Sequence, residues 1–312
     1  MINRRHIRVK VMQSVYATLQ SNNDNLTKEE KFLIQSIEKM SDLHALLLNL
    51  FVEVQQMASK YIEIAKKKHL ASATEKNPST KLIDNQVINT FKESVSLNDY
   101  IEKKKLKNWK NDTEFVRVIW DLIRNSEIYD EYLKSEENSF KHDKKFILKI
   151  FKDIIAPNEK LADYFEDQHI SWVDDIPFVN TWIVKDLNSL KESKSLVLSS
   201  LYKDEDDEKF VLNLYRKVIL NHEKYDKDID DKTPNWDTDR IADIDMILMK
   251  MAICEFLEFP SIPTKVSMNE YIEISKDYSS QKSSYFINGV LDKVLKELTT
   301  SKRIQKIGRG LL

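Results

Sequence analysis

The sequence predicts an all-α protein, and three observations carry that expectation. Only three glycines (Gly289, Gly308, Gly310) and six prolines occur in 312 residues, so the turn vocabulary of a β-protein is missing. Strong helix formers dominate the remainder. Apolar residues return at i, i+3, i+4 spacing over long stretches, and a hydrophobic content of 41% is enough for a core. The length fits one large domain or two smaller ones.

Taken in order, Asn3 is placed to cap a first helix over 4–20. At about 100° per residue, positions 4, 8, 11, 15 and 19 form one stripe. Val11, Val15 and Leu19 make its lower half apolar, and Arg4 and Arg8 continue it upward. These arginines therefore project from the edge where the buried stripe leaves the core. Cations at a helix N-terminus oppose the macrodipole by about 0.3–1 kcal/mol each, a cost that a bound anion turns into a use. An ordinary basic N-terminus is the alternative. After the polar loop Asn22–Asn25, a long helix is expected over 29–67. Its stripe of Leu33, Ile37, Met40, His44, Leu47, Phe51, Val54, Ala58 and Tyr61 makes His44 a hydrogen-bonded core histidine. Residues 71–80 read as a polar linker.

Helical segments are expected over 81–92, 98–107, 113–134, 143–156, 177–191 and 208–220. A stronger unit runs from Asp237 to Glu258, closed by Pro260 and Pro263. Ser267 and Glu270 have the spacing of a capping box, which predicts a helix from there to Lys276. The last long helix begins near Ser280 and passes Leu298. Gly289 lies inside it, where glycine costs about 1 kcal/mol against alanine, so a close backbone approach is expected there. A repeat at an offset of 64 aligns Asp143–Lys152 with Asp207–Arg216, matching Phe146 to Phe210, Leu148 to Leu212 and Trp172 to Trp236. Chance similarity of two amphipathic helices competes with one duplication. A duplication predicts that both copies bury the Phe and Leu of a helix and bring their tryptophan onto it.

Several chemistries are excluded. Neither GxGxxG nor GxxxxGK[ST] is present, so the usual phosphate cradles of nucleotide enzymes are missing. Cys254 is the only cysteine. It cannot form an intramolecular disulfide or a cysteine-cluster zinc site, and its place in the apolar run Met246–Phe256 predicts a buried, inert thiol. The six histidines are scattered, with no HExxH pair. Carboxylates are plentiful, but none forms a recognisable acid/base or metal constellation. No enzyme activity, metal or cofactor is expected. No apolar run reaches ~18 residues and no signal-peptide core opens the chain, so a cytoplasmic protein is expected.

The net charge of −2 hides an asymmetry. The first ten residues carry Arg4, Arg5, Arg8 and Lys10 without an acid. The end carries Lys302, Arg303, Lys306 and Arg309, while Asp204–Glu208 is solidly acidic. A polyanion site built from both termini follows, if they meet in space.

Three stretches resemble the transcription antitermination factor NusB family. The first is Arg4-Arg5-His6-Ile7-Arg8 with Gln13 and Tyr16. The second runs from Trp236-Asp237 through Arg240-Ile241 and Ile244-Asp245 to Cys254-Glu255-Phe256. The third runs from Ile262-Pro263 through Lys265-Val266 and Met268-Asn269-Glu270 to Phe286-Ile287-Asn288-Gly289-Val290-Leu291-Asp292. The resemblance covers about 1–66 and 207–298. It implies an all-helical fold of two small three-helix-type bundles, not an enzyme. The family pairs with NusE, a ribosomal small-subunit protein, on boxA RNA of ribosomal RNA leaders and keeps RNA polymerase elongating. By resemblance, Arg4, Arg5, Arg8, Lys282 and Phe286 would meet RNA, and Tyr16 and Asp245, on an exposed face, would meet the partner.

The expected organisation is N-terminal helices at 1–70, a helical insertion at 71–206 that the family does not explain, a helical bundle at 207–298 and a basic tail at 299–312. Bottom-up, single-stranded RNA calls for a cationic track and an aromatic or apolar platform. Arg4 and Arg8 could supply the first and Tyr285 and Phe286 the second, if their helices meet. Lys282 stands where an acidic residue is often seen. The NusB-like domain of RNA cytosine methyltransferases fits less well, because no glycine-rich cofactor loop or catalytic cysteine motif follows. A helical protein-interaction scaffold without RNA binding is the remaining alternative.

Overall fold

The computed structural model describes residues 1–21, 25–66, 78–192, 194–230, 232 and 241–311, and these contain helices and turns without a strand. The chain divides into two compact units, one of residues 1–37 and 200–312, the other of residues 38–199. Helix α2 (Leu26–Lys66) runs through the point of division.

In the first unit, α1 (Arg4–Ser21) starts at Asn3, whose side chain accepts the His6 amide at 2.9 Å. It packs on α11 (Glu205–Asp230), on α12 (Asp243–Glu258) and more lightly on α13 (Thr264–Tyr278). Ile7, Val11 and Val15 are fully buried in that packing. Helix α12 is buried on every side from Ile247 to Phe256, as a helix apolar all round must be. Helix α14 (Gln281–Thr300) packs on α12 and α13, and its N-cap Ser280 accepts the Ser283 amide. Cys254 is wholly buried, and burial pushes its thiol up to about 12.

Among the described residues, the second unit holds the rest of α2 and a series of short α-helices. They are α3 (Gln86–Lys92), α4 (Val95–Lys104), α5 (Asn108–Asn111), α6 (Thr113–Arg124), α7 (Glu127–Lys134), α8 (Phe140–Ile150), α9 (Glu159–Gln168) and α10 (Ile176–Ser189). Phe51, Phe91 and Phe151 meet at its centre. His44 is a core histidine, bonded to Asp186 at 2.9 Å and stacked on Trp182. Burial lowers its pKa against the pull of Asp186.

Side-chain caps explain several boundaries that periodicity missed. Asn85 accepts the amides of Val87 and Ile88, so the helix expected from 81 starts only at Gln86. Ser126 accepts from Tyr129 and splits the expected 113–134 helix into α6 and α7. Asn158 caps α9, a helix that periodicity does not announce. The capping box at Ser267 and Glu270 is not used. Helix α13 begins earlier, at Thr264, behind Pro263 with its fixed φ. Both side chains then lie inside the helix and take other partners.

Gly289 also departs from expectation. It is exposed, and a Cβ added there would meet nothing within 4 Å. The close backbone approach is at Gly310, whose added Cβ would lie 1.9 Å from the Pro260 carbonyl oxygen.

The repeat is matched in part. Phe146 and Phe210 are buried, as are Ile147 and Val211, and Ile150 and Leu214, whereas Leu148 and Leu212 are half-buried in both copies. The first copy widens into a π-helical turn at Phe151–Ile155 and stops before Pro157, which lacks an amide and disfavours helix at the residue before it. Asn221 stands at the matching place, and α11 continues past it to Asp230. Trp172 is 2% exposed. Its contacts fall on α2, through the Lys39 carbonyl, and on Phe165 of α9. Trp236 lies outside the described residues, as do most of the 71–80 linker and the Asn22–Asp24 loop.

Candidate functional site

Both basic chain ends meet in one cleft of about 600 Å³ in the first unit. Its wall from α1 is Asn3, Arg4, Arg5 and Arg8. Its floor is apolar, from Ile262, Pro263 and Val266. Glu270 of α13 and Arg309 of the tail complete it. The α1 arginines converge here because the helix begins beside α13 and the start of α11.

All three α1 arginines have carboxylate partners. Arg4 bonds Asp207 at 2.7 Å, with its guanidinium 5.0 Å from the centre of the Phe210 ring. Arg5 makes a two-pronged pair with Glu270 at 2.9 and 3.0 Å. Arg4 and Arg5 keep side-chain exposures of 39% and 46%. The hydrogen bond from Arg5 holds the Glu270 carboxyl below the usual carboxylate range, against its partial burial.

Arg8 differs. The resemblance groups it with the phosphate-facing arginines, yet its side chain is 3% exposed. It pairs with the fully buried Glu255 at 2.6 and 2.9 Å, and Glu270 is 3.7 Å away. Ser267 and Tyr271 donate to the same Glu255 carboxylate at 2.7 and 2.6 Å. Burial opposes the Arg8 charge, but Glu255 outweighs it and raises its pKa. Burial and the Glu255 charge raise the Tyr271 phenol. Arg8 is thus a brace that joins α1, α12 and α13 beneath the two outward arginines.

The structure does not bring the other expected residues into the cleft. Lys282 is exposed and Phe286 half-buried in the first turns of α14, beside Tyr285, which is 82% exposed. Neither Lys282 nor Phe286 lines the cleft. Tyr16 is exposed three turns along α1 from Arg5. Asp245 corrects the expectation of an exposed face: it is buried in the first turn of α12, at 5% exposure. The solvent-facing acid of that turn is Asp243, which accepts from Gln20 of α1 at 2.7 Å. Periodicity carried no sign of the counter-charges. Glu255, the lone acid in the run Met246–Phe256, is the signal that could have found them, because a charge inside a buried helix needs a partner.

Among the described residues no group of three or more His, Cys, Asp or Glu could hold a metal ion, and no helix is long and apolar enough to cross a membrane.

Fold and cleft together define a helical-bundle protein with an arginine-lined cleft beside the start of its first helix. The family model described as NusB family matches residues 180–296. The transcription antitermination protein NusB of Salinibacter ruber (strain DSM 13855 / M31) is 41% identical over 118 residues, 38% of this chain and 74% of that protein. The proteins of the same name from Chloroherpeton thalassium (strain ATCC 35110 / GB-78) and Natranaerobius thermophilus (strain ATCC BAA-1301 / DSM 18059 / JW/NM-WN-LF) are 38% and 40% identical. Those matches cover 39% and 30% of this chain, and 58% and 67% of the relatives. No solved structure matches. The chain belongs to the NusB family. The matched family segment includes α11 to most of α14 and leaves α1 outside it.

Proposed function

We infer that this protein is a non-catalytic transcription antitermination factor that binds boxA-type RNA together with NusE and so acts on the RNA polymerase elongation complex. The observation that carries the RNA contact is the cleft, where Arg4 and Arg5 stand half-exposed above the apolar floor of Ile262, Pro263 and Val266. Cationic groups take the phosphates and the floor takes a base or ribose face. Lys282 and Phe286 serve as a second contact at the start of α14, with Tyr285 as a stacking surface. Arg8 acts from beneath, by holding α1 in place. On the partner side, Tyr16, Gln20 and Asp243 share one outward face, with Asp245 buried behind it.

The pairing of Arg4, Arg5 and Arg8 with carboxylates favours the second reading, a protein-interaction scaffold without RNA binding. Binding of a labelled single-stranded boxA-like RNA, with and without NusE and over a range of salt, decides between them. Each neutralised phosphate contributes about −0.7 to the slope of log K against log salt for single strands. Replacing Arg4 and Arg5 with alanine is expected to flatten the slope by about 1.4. Glu270→Gln, which frees Arg5 from its partner, is expected to tighten binding. A slope that neither change moves leaves the scaffold reading.

A further inference from the structure

The cleft has a fourth arginine that comes from the far end of the chain. After α14, Arg303 makes a two-pronged pair with Asp228 of α11 at 2.6 and 3.0 Å. Lys306 donates its ammonium to the carbonyls of Glu255 and Phe259, at 3.0 and 2.9 Å, where α12 ends. Burial lowers that ammonium to about 8. The Ile307 amide donates to the Pro260 carbonyl at 3.1 Å. Gly308 then turns the chain at φ +52°, a conformation that glycine adopts freely. Gly310 is buried against Pro260, where no Cβ fits. Residues 303–310 are therefore a strap fastened at four points.

Between the two glycines stands Arg309. It is exposed, lines the cleft with Arg4 and Arg5, and has no hydrogen bond or ion pair among the described residues. Its neighbours Arg303 and Lys306 spend their charge on fastening the strap. Arg309 does not, and the strap holds it in the cleft that the carboxylate-paired arginines also line. A polyanion entering the cleft meets this unpaired cation without first displacing a carboxylate. The strap also lies beyond residue 296, where the family segment ends.

We propose that the C-terminal strap is part of the nucleic-acid site and that Arg309 contacts an RNA phosphate in the Arg4–Arg5 cleft. This rests on the RNA reading above. The test uses the full chain and a fluorescein-labelled single-stranded boxA-like RNA, titrated at several salt concentrations. Arg309→Ala is expected to weaken binding several-fold and to flatten the salt slope by about 0.7, one phosphate's share, while Arg309→Lys keeps the slope. Gly310→Ala retains every charge but forces the strap off Pro260, and is expected to reproduce the loss. Circular dichroism checks that helicity is unchanged, and the exposed Arg309 variants carry the test if Gly310→Ala misfolds. If Arg4→Ala and Arg5→Ala lose affinity while Arg309→Ala binds as wild type, the strap proposal is overturned and the RNA reading stands. If the wild-type chain shows no salt-dependent binding, both fall together.

Discussion

Arg8→Ala is expected to destabilise the protein by about 3–5 kcal/mol, the range for removing one partner of a buried ion pair. The loss comes from the residue left behind. Glu255 is fully buried and receives two bonds from Arg8 in addition to those from Ser267 and Tyr271. Without the guanidinium, two neutral hydroxyls must hold an uncompensated carboxylate away from water. The double replacement Arg8→Met/Glu255→Leu removes the charge with its partner and is expected to recover much of the loss. Urea unfolding of the two single variants and the double measures this as a cycle. A stability unchanged in Arg8→Ala would mean that the arginine is free to meet phosphates after all, and that the brace does not exist.

Stability is expected to fall by up to about 3 kcal/mol between pH 6.5 and 4 through His6 alone. Burial, helped by Lys10 and Arg5, lowers its pKa from 6.5 to about 4. The folded protein keeps this imidazole neutral while the unfolded chain takes up a proton below 6.5. The contribution is thus whole above pH 6.5 and lost as pH falls towards 4, at about 1.4 kcal/mol for every tenfold difference in proton affinity between folded and unfolded chain. Glu270, with its pKa lowered by Arg5, adds a loss that begins as pH falls into the usual carboxylate range and grows below it. The His6→Gln variant has no such proton to take up. Unfolding curves from about pH 7.5 to 4 should therefore run flatter for it between about 6.5 and 5. Parallel curves for variant and wild type would assign the acid sensitivity elsewhere.

The fold was legible where one physical signal dominates. The α1 stripe, the core placement of His44 and the inert Cys254 follow from apolar periodicity, Asn3 caps where expected, and the last long helix begins beside Ser280 as expected. Boundaries set by competing local chemistry were not legible. Ser267 and Glu270 match a capping box, but Pro263 starts the helix a turn sooner, and tertiary partners in Glu255 and Arg5 claim both side chains. Gly289 and Gly310 show the same limit, since a glycine's reason lies in what approaches it through space. At the site, charge alone marked both termini as basic, but whether they meet in space was left open. The division of labour between Arg5 and Arg8 was not, because one helical turn separates a half-exposed arginine from a buried one. The acids that decide it are Glu270 on α13 and Glu255 on α12, far away in sequence.

The first unit is assembled from residues 1–37 and 200–312, with the other unit encoded between them. During synthesis α1 therefore emerges long before α11, α12 and α13, the helices that cover Ile7, Val11 and Val15. At about 5–20 residues per second, the last segment takes on the order of ten seconds to appear. Residues 38–199 are already outside the ribosome by then, free to fold as a unit. The nascent chain thus carries its arginine-rich first helix uncovered until α11, α12 and α13 follow, and the cleft is complete only once Arg309 has been made.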